Sequence, residues 1–197
     1  MTSLIESASR GDLDGIVLAL DAGDDIDQQD PHGRTAIMAA TYAGQVDAVR
    51  LLLEREATPD IQDEMLNTPF LYAGAEGMLD ILKLTNEAGA DPTVTNRYGG
   101  TALIPACERG HVEVVRYLLE QSDVDVDHVN RLGWTGLLEA IVLSDGGPAH
   151  QEIVRLLLAN GADPDLADGE GVTPLDHAKA RGYTVIAQIL QQTGTHD

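Results

Sequence analysis

The chain has 197 residues, of which 43% are hydrophobic and only 4% aromatic. That apolar content excludes a disordered chain, and a core of Ala, Leu, Ile and Val suits packed helices better than a sheet sandwich. The formal net charge of −21 repels phosphate backbones and anionic lipids, which argues against nucleic-acid binding and membrane association.

The first predicted elements are two short helices, over residues 3–10 and 12–21, with Gly11 at the junction. The turn at residues 23–27 is rich in Gly and Asp and ends the pair. Because the pair is polar and lacks the motif that opens each later unit, we expect it to be an N-terminal cap.

Five units follow, and each opens with a threonine: Thr35, Thr68, Thr101, Thr135 and Thr173, at spacings of 33, 33, 34 and 38 residues. The threonine predicts the N-terminal cap or first turn of a first helix. In four of the units a glycine nine residues later predicts the end of that helix. A Leu- and Val-rich second helix follows, and the unit closes on a turn such as residues 89–92 or 161–164. No such unit buries its apolar face alone, so stacking must supply the core.

These units resemble ankyrin repeats, most clearly in residues 173–178 (TPLDHA) and 68–73 (TPFLYA). Residues 99–183 are also similar to short, stand-alone ankyrin-repeat proteins of bacteria. The resemblance implies an all-α ankyrin-repeat solenoid formed by residues 1–197 as a single domain. The implied boundaries are an N-terminal cap at 1–29, repeats at 30–62, 63–95, 96–129 and 130–167, and a C-terminal cap repeat at 168–197.

Three departures from the family pattern bear on the structure. The histidine that usually follows Thr-Pro-Leu is absent, which puts its hydrogen-bond network in doubt. Leu66 stands where the family has a turn glycine, so we expect a distorted hairpin there. The fourth repeat carries about five extra residues, near 144–148, which should bulge between its two helices as a loop. The residues in place of the histidine are Met38, Leu71, Ile104, Leu138 and Asp176.

In ankyrin repeats, the hairpin residues before the threonine and the end of the first helix line the concave face. The positions here hold the only Trp, two of the five Tyr and five of the twelve basic residues, and Tyr, Trp and Arg dominate binding hot spots. We therefore predict a partner-binding face, with the alternative that Trp134 packs between hairpins and the arginines pair locally. The predicted residues are Arg34, Tyr42, Met65, Arg97, Tyr98, Arg109, Arg131, Leu132, Trp134 and Leu143.

The leading hypothesis is a non-catalytic, monomeric module that binds a protein partner, with no cofactor and no metal. One alternative is an acidic mimic or inhibitor of a basic target surface. A second is a small-molecule-binding or regulatory protein that uses the insertion of the fourth repeat. The sequence shows no nucleotide-binding loop and no zinc or EF-hand spacing.

The single cysteine, Cys107, is expected to pack in the core, and no intrachain disulfide is possible. That fits a reducing compartment. The N-terminal residues show no secretory signal, and no apolar run approaches the roughly 20 residues that a membrane span needs. The cytoplasm is the expected location.

Overall fold

The computed structural model describes residues 3–193, with side chains to Gln192, and this part of the chain is helical without a strand. The helices come in successive pairs, which we call the first and second helix of each repeat. They are α1 (Leu4–Arg10), α2 (Leu13–Asp21), α3 (Ala36–Tyr42), α4 (Val46–Glu54), α5 (Pro69–Glu76), α6 (Leu79–Glu87), α7 (Leu103–Glu108), α8 (Val112–Gln121), α9 (Gly136–Val142), α10 (Pro148–Ala159), α11 (Pro174–Ala180) and α12 (Thr184–Thr193).

The described residues fall into two compact units. The first unit contains the residues up to 74 together with 78–97, and the second contains 75–77 together with the residues from 98 onward. In the first unit α1 packs against α2 and α3, and α4 packs against α2, α3 and α6. In the second unit α9 packs between α7 and α11, and α10 packs against α8 and α12. The prediction that one domain comprises residues 1–197 stays a prediction.

Aliphatic side chains fill the core of each unit. In the first unit Ile16, Ile37, Leu52 and Phe70 are almost fully buried. In the second unit Leu103, Leu118, Leu137, Ile141 and Leu157 are equally buried. Burial of each such side chain contributes about 1.5–3 kcal/mol to folding, and only stacked helices provide it.

The residues that replace the family histidine serve the core. Met38, Leu71, Ile104 and Leu138 are buried, with at most 3% of their surface exposed. Asp176 differs, because it is exposed and accepts a hydrogen bond from the hydroxyl of Thr173 at 2.9 Å. At four of the five positions an apolar contact therefore stands where the family has a polar network.

Four of the five threonines cap the first helix of their repeat, as predicted. Their Oγ1 atoms accept a hydrogen bond from the backbone N–H three residues later, at 3.2–3.3 Å. Thr101 does not, since α7 begins after Ala102 and the buried Thr101 Oγ1 has no hydrogen-bond partner among the described residues. Pro105 restricts the backbone of Ile104, whose N–H is the group that Thr101 would have capped.

The expected distortion at Leu66 is wrong. Leu66 has φ 58°, in the left-handed region where Gly33, Gly99, Gly133 and Gly171 lie at the same place in the other hairpins. The hairpin bond from Asp63 N to Asn67 O is 3.0 Å, as is the bond from Asn130 N to Trp134 O. The backbone keeps its geometry, and Leu66 accepts the strain of a conformation that glycine adopts freely.

The insertion of the fourth repeat is only partly a loop. Residues 143–147 connect α9 to α10, but Pro148 is the first residue of α10, which is 12 residues long. Because proline is well suited to the first helical turn, the extra residues also lengthen this second helix at its start.

Candidate partner-binding surfaces

Four of the hairpins before a first helix are held by one anchor side chain each: Asp30, Asp63, Asn130 and Asp168. Asp63 Oδ1 accepts hydrogen bonds from the N–H groups of Met65 and Asn67, both at 2.9 Å. Asn130 Oδ1 accepts from Leu132 and Trp134 at 2.9 and 3.1 Å. These bonds pair the backbone N–H groups of each turn with a side chain of the same hairpin. They fix the conformation of the hairpin tip, and the tip side chains point outward.

In the hairpins of Asp63, Asn130 and Asp168 the polar atom of the anchor side chain that does not bind the turn backbone forms a hydrogen bond with another side chain. Asp63 accepts from the hydroxyl of Tyr42, and Asp168 bonds to His177 Nε2 at 2.8 Å. Asn130 reverses the polarity, because its Nδ2 donates to Glu139 Oε1 at 2.7 Å. The hairpins are thereby fixed to the first helices that follow or precede them.

Neighbouring hairpins within a unit are also joined. In the first unit Glu64 N donates to His32 O at 3.0 Å, and the side chains of these two residues meet at 3.0 Å. In the second unit Arg131 N donates to Tyr98 O at 2.9 Å. The side chains at successive tips therefore form a row in each unit.

In the first unit the predicted site residues differ in exposure. Arg34 pairs with Asp30 at 2.6 Å; burial opposes ionisation of Asp30, but the bonds from Arg34 and the backbone outweigh it and lower its pKa. Tyr42 contacts the ring of Tyr72 at 4.4 Å, and burial followed by the bond to Asp63 raises the pKa of Tyr42 to about 12. Both side chains have structural partners.

Met65 and Arg97, by contrast, lie at the surface of the first unit. Met65 is 41% exposed, and Arg97 Nη1 lies 3.6 Å from its sulfur. Elsewhere in this unit an open groove of about 490 Å³ is lined by α1, α3 and the hairpin at residues 30–34, and Arg34 and Tyr42 are part of its lining.

In the second unit, the structure brings exposed apolar side chains to the hairpins and to the end of a first helix. Tyr98, Leu132 and Leu143 are 54%, 59% and 48% exposed. Arg131, which precedes Leu132 in the sequence, is exposed, and Trp134 is half-buried. The predicted residue Arg109 binds Glu76 and the carbonyl of Ala75 instead.

One buried residue that supports this surface was not predicted from the sequence. Glu139 is only 5% exposed and lies on α9, where its bond to Asn130 holds the hairpin that carries Leu132. Burial, and secondly the charge of Glu108, raise the pKa of Glu139 to about 7. The available signal was Asn130 itself, because three other hairpin anchors, Asp30, Asp63 and Asp168, carry a carboxylate there.

The insertion loop is fixed by its own contacts. The hydroxyl of Tyr183 donates to Ser144 O at 2.7 Å, and the Tyr183 ring lies against Gly146. His150 Nε2 bonds to the carbonyl of Glu108 at 2.9 Å, and its Nδ1 lies 3.3 Å from Asp145. Ser144 Oγ donates to the backbone of Ile141, so these side chains serve the loop and no nucleophile is paired with a base there.

Cys107 packs in the core, as predicted. It is fully buried, its sulfur lies close to Gly136, and burial raises the pKa of its thiol. In the described part of the chain no group of three or more His, Cys, Asp or Glu side chains is placed to hold a metal ion. None of the described helices is long and apolar enough to span a bilayer.

Comparison with known proteins agrees with this architecture. A family model described as ankyrin repeats (3 copies) matches residues 4–96 and 70–168, and a second, described as ankyrin repeats (many copies), matches 147–191. The chain therefore belongs to the ankyrin-repeat family, whose members are typically non-catalytic modules for binding other proteins.

Among solved structures, an ankyrin repeat domain from Acinetobacter baumannii AYE has 50% identity and a TM-score of 0.94, over 97% of both chains. The ankyrin repeat protein EF0377 has 38% identity and a TM-score of 0.92, over 96% of each chain. These matches confirm the all-α ankyrin-repeat fold.

A curated relative, the ankyrin repeat protein YahD of Escherichia coli (strain K12), is 52% identical over 90 residues. That match covers 46% of this chain and 45% of YahD, so the chain spans less than half of the length of this relative.

Proposed function

We propose that the chain is a non-catalytic interaction module that binds a protein partner through its hairpins and the ends of its first helices. The observation that supports this is the location of exposed apolar side chains. Of the nine exposed large hydrophobic residues in the described part of the chain, five lie at these positions: Met65, Leu66, Tyr98, Leu132 and Leu143.

The mechanism is presentation of a pre-formed surface. The hairpin tips are fixed by the Asp63 and Asn130 bonds at 2.9–3.1 Å, so little backbone freedom remains to be lost on binding. Ordering a rotamer-rich side chain at an interface costs about 0.5–1.5 kcal/mol. The side chain of Tyr98 has only two rotatable torsion angles and stands on a fixed hairpin, so ordering it on binding costs little.

The ten predicted binding residues then divide into two groups. Arg34, Tyr42 and Arg109 are held by Asp30, Asp63 and Glu76, and we assign them to the support of the surface. We assign direct contact with the partner to the other seven, six of which are exposed and one, Trp134, half-buried: Met65, Arg97, Tyr98, Arg131, Leu132, Trp134 and Leu143.

A photo-crosslinking amino acid placed at Leu132 tests this proposal in the native host. We expect one dominant crosslinked protein, identified by mass spectrometry, and its loss when Tyr98 and Trp134 are both changed to alanine at unchanged helicity. The matched control places the crosslinker at Leu18, which is 71% exposed on the second helix α2. Equal products from both positions, or capture unaffected by the double substitution, would sink the proposal.

The acidic-mimic hypothesis predicts a complex whose stability depends much more strongly on salt concentration. The net charge of −21 favours it, and such a complex dissociates steeply as added salt shortens the Debye length below about 10 Å. A complex held by Tyr98 and Leu132 should be much less sensitive to salt. We keep the cytoplasm as the proposed location, because Cys107 is a free, buried thiol.

A further inference from the structure

The second helix of the N-terminal repeat, α2, exposes apolar side chains. Leu18 is 71% exposed and Leu13 is 39% exposed. Asp14 is also exposed and lies one helical turn before Leu18, so these two residues share a face of α2. Isolated exposed leucines are ordinary at a protein surface, and the place of Leu18 in the repeat decides what its exposure means.

The equivalent leucines of later repeats are covered. Leu51 of α4 and Leu84 of α6 follow Leu18 at intervals of 33 residues, and both are half-buried. Leu156 holds this place in α10, after the insertion, and is 8% exposed. In the first unit α4 packs against both α2 and α6, whereas α4 is the one second helix that packs against α2 among the described residues. Leu18 is therefore a stacking residue of the repeat without a preceding second helix in the described chain.

The contact between α8 and α10 shows what a preceding second helix supplies at this place. In the second unit α8 comes before α10 and packs against it. Arg116 Nη2 of α8 lies 3.3 Å from Glu152 Oε1 of α10. Glu152 precedes Leu156 by one helical turn, as Asp14 precedes Leu18. The preceding helix thus pairs a basic side chain with the acidic residue beside the covered leucine.

We propose that the face of α2 formed by Leu13, Asp14 and Leu18 binds an α-helix of a partner protein that carries an Arg or Lys beside an apolar stripe. This helix takes the place of a preceding second helix. Its basic side chain pairs with Asp14, as Arg116 pairs with Glu152, and its apolar residues cover Leu18 and Leu13. Binding continues the stacking of the repeats, in which each layer contacts only its neighbours. The surface is separate from the hairpins and goes beyond the proposed function.

The charge of the N-terminal repeat favours this partner over other occupants. Residues 11–31 contain seven Asp and no Lys or Arg. Arg55, which follows α4, reaches α2 at Asp21, 3.6 Å away, rather than at Asp14. A second copy of the chain would bring the same acidic segment and a net charge of −21 to this face, and anionic lipid is repelled for the same reason. A basic, partly apolar helix complements both Asp14 and Leu18.

Selection from a displayed library of amphipathic helices on the immobilised full chain tests the proposal. Each library helix is about 18 residues long, or about five turns, and has Lys, Arg, Glu or Gln beside a Leu-rich stripe. We expect enrichment of Lys or Arg next to the stripe. For a synthetic enriched helix, Leu18→Gln should weaken binding by about tenfold or more, because it removes an apolar contact that binding buries. Val185→Gln, a matched change at a 42% exposed position of α12, should leave the affinity unchanged.

Charge reversal tests the ion pair. Asp14→Lys should weaken binding by about fivefold or more, since it replaces attraction with repulsion. A helix with Glu in place of its enriched basic residue should regain most of that loss. Asp47→Lys makes the same change in net charge at the equivalent place of α4 and should alter the affinity by less than about twofold, because salt screens distant charges. Each variant should keep native helicity, since Asp14, Leu18 and Asp47 are exposed.

Equal binding to the Asp14→Lys and Asp47→Lys variants, unchanged affinity of the Leu18→Gln variant, or a library that yields no binder would overturn the inference. A dimer of the unaltered chain that Leu18→Gln dissociates, measured by sedimentation equilibrium, would also overturn it, because the occupant would then be a second copy. A protein captured by the crosslinker at Leu18 through this face should stay captured in the double alanine variant that releases the protein at Leu132. The inference and the proposed function therefore fail independently.

Discussion

The hairpins at residues 63–67 and 130–134 have the same backbone and opposite side-chain chemistry. In the first, Asp63 is the acceptor and a hydroxyl, that of Tyr42, is the donor. In the second, Asn130 is the donor and a buried carboxylate, that of Glu139, is the acceptor. Both arrangements satisfy the turn and both bury a carboxylate. Asp63 accepts three hydrogen bonds, whereas burial of Glu139 raises the pKa of its carboxyl to about 7.

The comparison shows that both hairpins need a hydrogen bond between their anchor side chain and a residue of a first helix. Either side chain of the pair can be the donor. The Asp63 arrangement places the charge on the anchor, which also accepts two backbone N–H groups. The Asn130 arrangement moves the charge to the first helix, beside Glu108. The hairpin at 130–134 therefore carries the cost of a buried carboxylate with few bonds to offset it, as the raised pKa of Glu139 indicates.

The largest effect is expected for Asp63→Ala. Asp63 is 5% exposed and accepts three hydrogen bonds, so its removal strands two backbone N–H groups and the Tyr42 hydroxyl. We expect a loss of about 2–4 kcal/mol in the free energy of unfolding, measured by urea denaturation. Asp63→Asn, which keeps Oδ1, should cost much less. Equal costs for the two variants would show that the anchor bonds are unimportant.

Glu139→Gln should stabilise the protein, by about 1–2 kcal/mol above neutral pH, because it removes a buried charge and keeps the bond to Asn130. The sign follows from the raised pKa of about 7. The unfolded chain releases the proton first as pH rises, so stability is lost between the ordinary carboxyl pKa and about 7 and stays lost above it.

Urea denaturation as a function of pH checks this prediction. The variant and the parent should be equally stable in acid and diverge as pH rises towards 7. The other titratable groups that interact electrostatically with Glu139 are Cys107 and Glu108 on α7. Parallel pH profiles for parent and variant would contradict a raised pKa at Glu139.

The sequence predicted the helices well because one physical pattern is repeated five times. Threonine caps, helix-ending glycines and Leu-rich second helices each depend on residues close in sequence, and Gly44, Gly110 and Gly182 have positive φ as expected. The Asn130–Glu139 bond joins residues nine apart across a turn, and the effect of Glu108 on Glu139 acts between two helices. Such contacts depend on packing, which local patterns do not encode.

The candidate surface was predictable in outline but not in detail. Alignment to the repeat indicated Tyr98, Leu132 and Leu143, and all three are exposed. It could not separate them from Arg34 and Arg109, because pairing with Asp30 or Glu76 depends on which carboxylates the folded chain brings near.

Gly133→Ala tests how tightly the backbone of the hairpin at residues 130–134 is packed, because it introduces moderate strain there. Gly133 has φ 80°, and an added Cβ would lie 3.2 Å from Gly169 N, a backbone atom that cannot easily move. We expect a loss of about 1–2 kcal/mol by urea denaturation. Gly161→Ala, with φ 91° and open space around the added Cβ, isolates the conformational part and should cost less. A larger loss at Gly161 would contradict the packing argument.

The smallest effect is expected for Leu66→Gly, and its direction is a gain. Leu66 has φ 58° and is 39% exposed, so the substitution relieves backbone strain of about 1 kcal/mol but makes the unfolded chain more flexible. The net stabilisation should be about 0.5 kcal/mol, measurable as a small rise in the urea midpoint with an unchanged slope. If Leu66 is retained for binding, the same substitution should weaken the complex while it stabilises the free protein, which is the trade expected where a strained residue presents an apolar side chain. Stabilisation with no loss of partner affinity would instead make Leu66 a tolerated replacement of the turn glycine, and contact here would then depend on Met65 and on Arg97 of the next hairpin.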